Sequence, residues 1–148
     1  RKQAKVTISN VPDKPGSASR IFTALSEANV IIDVIVQNVS VSGSTDISFT
    51  LSADELEKLG DLIDRVAAEI GAGQVTKKSG IAKLSVVGIG MRSHSGVAAT
   101  LFESLGHGGV NIQMISTSEI KIAVIIDEAQ IELAAKLAHT AFGLDATA

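Results

Sequence analysis

The chain has 148 residues, 45% of them hydrophobic and 3% aromatic, a formal charge of −3 and no cysteine. That is enough apolar chain for one ordinary core or two small ones, and it excludes disulfides, thiolate metal sites and a cysteine nucleophile. Scattered lysines and arginines give no electrostatic footprint for nucleic acid and phenylalanine is the only aromatic, while no apolar stretch reaches the roughly 20 residues of a bilayer span or resembles a signal peptide.

Residues 4–11, AKVTISNV, set Ala4, Val6 and Ile8 against polar neighbours, the alternation of a strand with one buried face, and Pro12 ends it. From Gly16 to Ala28 the residues Ala18, Ile21, Phe22, Leu25 and Ala28 recur at three and four, which predicts an amphipathic helix. Residues 30–41, VIIDVIVQNVSV, are rich in β-branched side chains and read as a strand. Ser42-Gly43-Ser44 turns the chain, and residues 45–51, TDISFTL, return as an antiparallel partner. Ser52 with Glu55 forms a capping-box pattern ahead of a second helix carried by Leu56, Leu59, Ile63, Val66, Ala67 and Ile70, which Gly71 and Gly73 stop. A short strand near 74–78 completes the order βαββαβ.

The plan then repeats. A strand at 82–89 leads to a helix from about Gly96 to Leu105 and a stop at Gly106, Gly108 and Gly109. Strands at about 111–118 and 120–126 and a helix from about 129 to 142 follow. At a constant offset of 80, Gly16 falls on Gly96, Phe22 on Phe102, Leu25 on Leu105 and Ile32 on Ile112. The expected fold is α+β: two ferredoxin-like domains, residues 1–80 and 81–148, each an antiparallel sheet with helices on one face. The last strand of the second domain is not visible, because GLDATA after Phe142 is too short and polar. Either it is absent, or residues from elsewhere, such as chain ahead of Arg1, supply it.

The segments NVPDKPGSASRIF, IIDVIVQNVS and VNIQMISTSEIKI, in this order and spacing, resemble the tandem regulatory ACT domains of aspartate kinase. The likeness covers nearly the whole chain, and QNVS and ISTSEI are more specific than a lone Asp-x-Pro-Gly. It is similar both to the small regulatory subunit of two-subunit enzymes and to the C-terminal part of the catalytic chain. The resemblance implies binding of threonine, lysine or both as feedback inhibitors of aspartate-derived amino-acid synthesis. It further implies a cytoplasmic homodimer paired ACT to ACT and a partner in the kinase catalytic subunit or domain. It implies no catalytic residue and no cofactor here; ATP and magnesium belong to the kinase domain. The sequence agrees independently in lacking a Walker-type GxxxxGK[ST].

A free amino acid presents a carboxylate, an ammonium group and a side chain. Backbone N–H groups of Gly16, Ser17 and Ala18 at a helix N-terminus suit the carboxylate, Gly16 permits close approach, and Asp13 on the same turn can offset the ammonium charge. Gln37 can hydrogen-bond a side-chain hydroxyl or amide. Asn111 and Ile112 match positions where the family's second domain contributes to the same site. The bland readings are that Asp-x-Pro-Gly is simply a turn and cap, and that the polar pair Gln37 and Asn38 meets a subunit rather than an effector.

The corresponding second corner, Ser93, His94, Ser95, Gly96 and Val97, lacks the aspartate and proline of the first. Ser93, His94, Gly96 and Val97 with Asp33, Ser118 and Glu119 are the candidates for a second effector site, whose equivalence to the first that departure puts in question, and Asp33 and Glu119 are its candidate carboxylates for a lysine side chain. His94 is either a ligand contact or a solvated loop histidine; Ser40, Thr117, Ser118 and Glu119 either line a pocket or satisfy strand ends. His107 and His139 have no second ligand at metal-like spacing, so no metal site is expected. Asp54, Glu55, Glu57, Asp61 and Asp64 read as a solvated helix face. Two other functions remain: an ACT regulatory domain of another amino-acid enzyme, such as homoserine or prephenate dehydrogenase, or a small ferredoxin-like hydrolase. The hydrolase would need an arginine in the first loop, where Lys14 is the only cation.

Overall fold

The computed structural model of the chain describes residues 2–12, 15–39, 44–87, 94–118 and 120–142. The chain divides into two compact units, residues 1–80 and 81–148.

In the first unit the elements are β1 (Gln3–Pro12), α1 (Ser17–Glu27), β2 (Ile35–Val39), β3 (Ser44–Ser52), α2 (Ala53–Glu69) and the start of β4 (Val75–Val87). The strands lie in the order β2-β3-β1-β4, the ferredoxin-like arrangement. β1 and β3 run antiparallel from Gln3 opposite Ser52 to Pro12 opposite Ser44, with a register break between Ile8 and Val11. Asn10 takes the left-handed conformation in that break, and its N–H donates to Asp46 Oδ1 at 3.1 Å, so the extra residue is accommodated as a bulge. Val6, Ile8, Ile47, Phe49 and Leu51 from the sheet pack with Ile21 and Leu25 of α1 and Ile63 and Val66 of α2. Phe22 meets Phe49 edge to face with centroids 5.6 Å apart, a geometry that aromatic quadrupoles favour.

β2 is shorter than the strand expected over 30–41. Residues 30–34 are not strand, because Val34 N–H turns to the Thr50 side chain, donating to Oγ1 at 3.0 Å. Asp33 N–H bonds to Thr50 carbonyl oxygen at 3.0 Å, and Thr50 N–H to Val34 carbonyl oxygen at 2.9 Å. Residues 40–43, including Ser40 and most of the expected turn, lie outside the described residues.

The strands expected at 74–78 and 82–89 are one element, β4. Gly80 passes through it with φ +73°, a conformation that glycine adopts without the Cβ penalty, so the Ser-Gly pair does not end the strand. The second unit continues with α3 (His94–His107), β5 (Met114–Thr117), β6 (Lys121–Asp127), a 3-10 turn (Glu128–Gln130) and α4 (Ile131–Ala141). Its sheet has β6 between β4 and β5, both antiparallel to it. Leu101, Leu105, Val110, Ile122, Val124, Ile126, Ala134 and Ala138 form its core. Among the described residues no strand follows α4, and residues 143–148 lie outside them.

Candidate functional site

The strand-to-helix corner of the first unit has a geometry that the other well-formed helix start in the same unit lacks. At α2, Ser52 Oγ accepts the N–H of Glu55 at 3.2 Å, and Asp54 and Glu55 place negative charge in the first turn. One helix-start N–H and the helix dipole are thereby answered internally. At α1 the N-cap is Gly16, with φ 97° and ψ −18° and so without a capping side chain of its own, and no acidic residue stands in the helix's first turn. The first helical bond runs from Arg20 N–H to Gly16 carbonyl oxygen at 2.9 Å. The N–H groups of Ser17, Ala18 and Ser19 therefore have no carbonyl to bond within the helix, and they stand at its positive end. Arg20 is committed elsewhere, to Glu69 at 2.6 Å. Asp13 lies outside the described residues.

Ser17 departs from what a helix start normally shows. It is 5% exposed, and its Oγ is buried without a hydrogen-bond partner. Ala18 is half-buried against the core and Gly16 is exposed, so the corner combines an accessible backbone with a dry floor.

Gln37 faces the same end of the sheet. It stands opposite Ile47, and directly opposed residues share a face. Ile47 is in the core under the helices, so Gln37 lies on the helix side of edge strand β2, where it is exposed. Thr45, opposite both Val11 and Val39, marks the level at which β1 runs out toward the corner. Gln37 is two strands from β1, about 10 Å across the sheet at the usual strand spacing, and level with Ile8 rather than with the end of β1. Thr45 is buried, and its hydroxyl donates to the carbonyl oxygen of Asn38, which pins β2 to β3 at this point.

The ACT domain family matches residues 6–71 and, separately, 84–142. A crystal structure of aspartokinase alpha and beta subunits is similar at 45% identity and TM-score 0.86, covering 95% of this chain and 93% of that one. The ligand-free regulatory subunit of aspartate kinase from Thermus thermophilus is similar at 35% identity and TM-score 0.85, with the same coverage of both chains. The chain belongs to the regulatory ACT region of the aspartate kinase family. Aspartate kinase of Pseudomonas putida is 50% identical over 148 residues, which is all of this chain and 36% of that protein. The chain thus spans about a third of the length of such curated relatives.

The other candidate residues of this ACT region fall into separate places. Asp33 is exposed at the far end of the first sheet, lining a cavity of about 360 Å³ with Gln3, Leu51, Ser52 and Glu55. Gln3 and Pro12 are the two ends of β1, so roughly 30 Å separate Asp33 from the α1 corner, and one amino acid does not touch both.

In the second ACT unit the helix begins at His94, so Gly96 is its third residue rather than a left-handed cap. The expected start near Gly96 is corrected by this, and the two corners are not copies of one another. Val97 is partly buried against the second core. Ser93 and Glu119 lie outside the described residues, as does the side chain of His94. Ser118 is exposed in the β5–β6 turn, its N–H donating to Lys121 carbonyl oxygen at 2.7 Å.

Asn111 is exposed just after the left-handed turn at Gly109, and Ile112 packs against the second core. Beside them is a residue that sequence reasoning passed over. Gln113 donates from Nε2 to Asp127 Oδ1 at 2.9 Å, while its Oε1 is buried without a partner. Only the pairing of β5 with β6, which brings Gln113 N–H to Ile125 carbonyl oxygen at 2.8 Å, reveals this contact; nothing in the local sequence signals it.

A concavity of about 570 Å³ lies between α3 and α4 and is lined by Glu103, His107, Leu133 and Leu137 among others. It contains none of the candidate effector residues. Among the described residues no group of three or more histidine, aspartate or glutamate side chains is disposed to hold a metal ion, and no helix is long and apolar enough to cross a membrane.

Proposed function

We propose that this ACT region senses a free amino acid, threonine, lysine or both, at the corner where α1 begins, and through it restrains an aspartate kinase. The observation that carries the reading is the uncapped α1 start: three N–H groups at a helix N-terminus, a left-handed glycine and no carboxylate in the first turn. A carboxylate from the effector supplies an acceptor and a negative charge that the described residues do not place there. Gln37, exposed on the same face, is in reach of a side-chain hydroxyl or amine. Asn111 and Ile112 enter the proposal through the family resemblance.

Regulation requires that the effector favour one arrangement of the assembly over another, since equal affinity for both shifts nothing. The second arrangement involves the kinase catalytic subunit or domain and a homodimer. The exposed edge strand β2, with Ile35 52% exposed, supports pairing with another copy, because an apolar sheet edge left open is an aggregation hazard.

Isothermal titration calorimetry with threonine and with lysine tests the reading. Binding heat is expected from at least one of them, with reduced affinity in Gly16→Ala, which disturbs the backbone that presents the N–H groups. Absence of heat with both amino acids refutes the proposal.

A further inference from the structure

The α1 corner holds a polar atom that the backbone site leaves unaccounted for. Ser17 Oγ is buried and makes no hydrogen bond, and native proteins leave few such groups. Among the described residues no neighbour at the corner relieves it: the N-cap is a glycine and the first turn has no carboxylate, and the nearest charged side chain of α1, Arg20, is a donor already held by Glu69. What the hydroxyl lacks is an acceptor.

Its position restricts what that acceptor is. Ser17 is the first helical residue and carries one of the free N–H groups, and its Oγ is one bond beyond Cβ. An oxygen that bonds the Ser17 or Ala18 N–H meets the hydroxyl as well in the common helix rotamers that turn a side chain back toward the N-terminus. A carboxylate has two oxygens and accepts only, so one can meet the backbone N–H groups and the other the hydroxyl. A primary amide offers one neutral oxygen, and its NH₂ group would face further donors.

We infer that Ser17 Oγ–H donates to the free α-carboxylate of the bound amino acid and makes the corner selective for the acid over its amide. This rests on the effector reading above and adds to it the ligand group that the hydroxyl recognises. In the unliganded chain the hydroxyl is an internal cost, and ligand binding removes it.

Calorimetry on the chain tests this with four ligands, threonine, threoninamide, lysine and lysinamide, on wild type, Ser17→Ala and Ser17→Thr. Wild type is expected to prefer acid over amide. Ser17→Ala is expected to lose on the order of tenfold in affinity for the acid, as for a hydrogen bond to a charged group, with a smaller loss for the amide. Ser17→Thr restores the preference. The Tm of unliganded Ser17→Ala is expected to equal or exceed that of wild type, since only an unsatisfied hydroxyl is removed. If wild type binds but Ser17→Ala keeps the same acid affinity, the hydroxyl is not a ligand contact, and the effector reading stands without it. If Ser17→Ala loses Tm and loses acid and amide binding equally, its role is structural and the inference fails. If wild type binds none of the four, the effector reading falls too.

Discussion

Thr50→Val isolates the contact that shapes the approach to β2. Thr50 is fully buried and Val34 is 6% exposed, and the bond between them is from Val34 N–H to Thr50 Oγ1 at 3.0 Å. Valine keeps the branched shape, so little cavity or overpacking is introduced, but it leaves a buried N–H without an acceptor. That costs about 1–3 kcal/mol. The first unit comprises residues 1–80, and a domain of 60–100 residues moves by roughly 4–8 °C in Tm for each kcal/mol. Differential scanning calorimetry should therefore show the transition of this unit lowered by at least about 4 °C, and urea unfolding a lower midpoint at unchanged slope. The two flanking backbone bonds, Asp33 to Thr50 and Thr50 to Val34, survive the substitution, so the fold itself persists. A Thr50→Val chain as stable as wild type would show that the Val34 N–H has another partner, and the account of why β2 begins only at Ile35 would be wrong.

Two further substitutions probe other levels of the structure. At Gly108 an added Cβ would lie 2.3 Å from Leu137 Cδ1; Gly108→Ala must displace that side chain at the α3–α4 contact and is expected to cost about 1–3 kcal/mol, read as a lower urea midpoint. Lys5 has its ammonium pKa lowered from 10.5, first by burial and then by the neighbouring Lys78. The folded chain releases that proton before the unfolded chain does, so wild-type stability rises with pH across the window ending near 10.5, and below the folded pKa the full penalty remains. Lys5→Gln should therefore be the more stable chain at pH 7, with an advantage that shrinks as pH climbs toward 10.5; a gap that stays constant or widens in urea midpoints would contradict the assignment.

Much of the fold is written in local pattern. The stripe Ile21, Phe22, Leu25 does become the buried side of α1, and Ser52 with Glu55 does cap α2. Both rest on forces that act within a few residues, side-chain periodicity and capping, and so are visible along the chain. Strand ends were less legible. The Thr50 side-chain contact depends on a partner distant in sequence, so residues 30–34 look like strand and are not, while Gly80 takes a positive φ within β4, so 79–81 look like a break and are strand. The family likeness is carried by QNVS and ISTSEI, and by segments of the α1 corner, but the sequence could not tell the two corners apart in backbone terms. Only Gly16 takes the left-handed cap, whereas Gly96 lies inside α3.

For the site, the residue types were legible and their condition was not. Asp-x-Pro-Gly ahead of an apolar helix announces a turn with free N–H groups, because proline and glycine constrain backbone whatever surrounds them. Tertiary structure alone decided that Ser17 Oγ is buried without a partner, that Gln37 faces the helix side at the corner's end of the sheet, that Asp33 lies at the other end, and that Gln113 is tied to Asp127. Burial and hydrogen-bond satisfaction are properties of what the rest of the chain brings to an atom. A sequence names the donor; the fold determines whether an acceptor arrives.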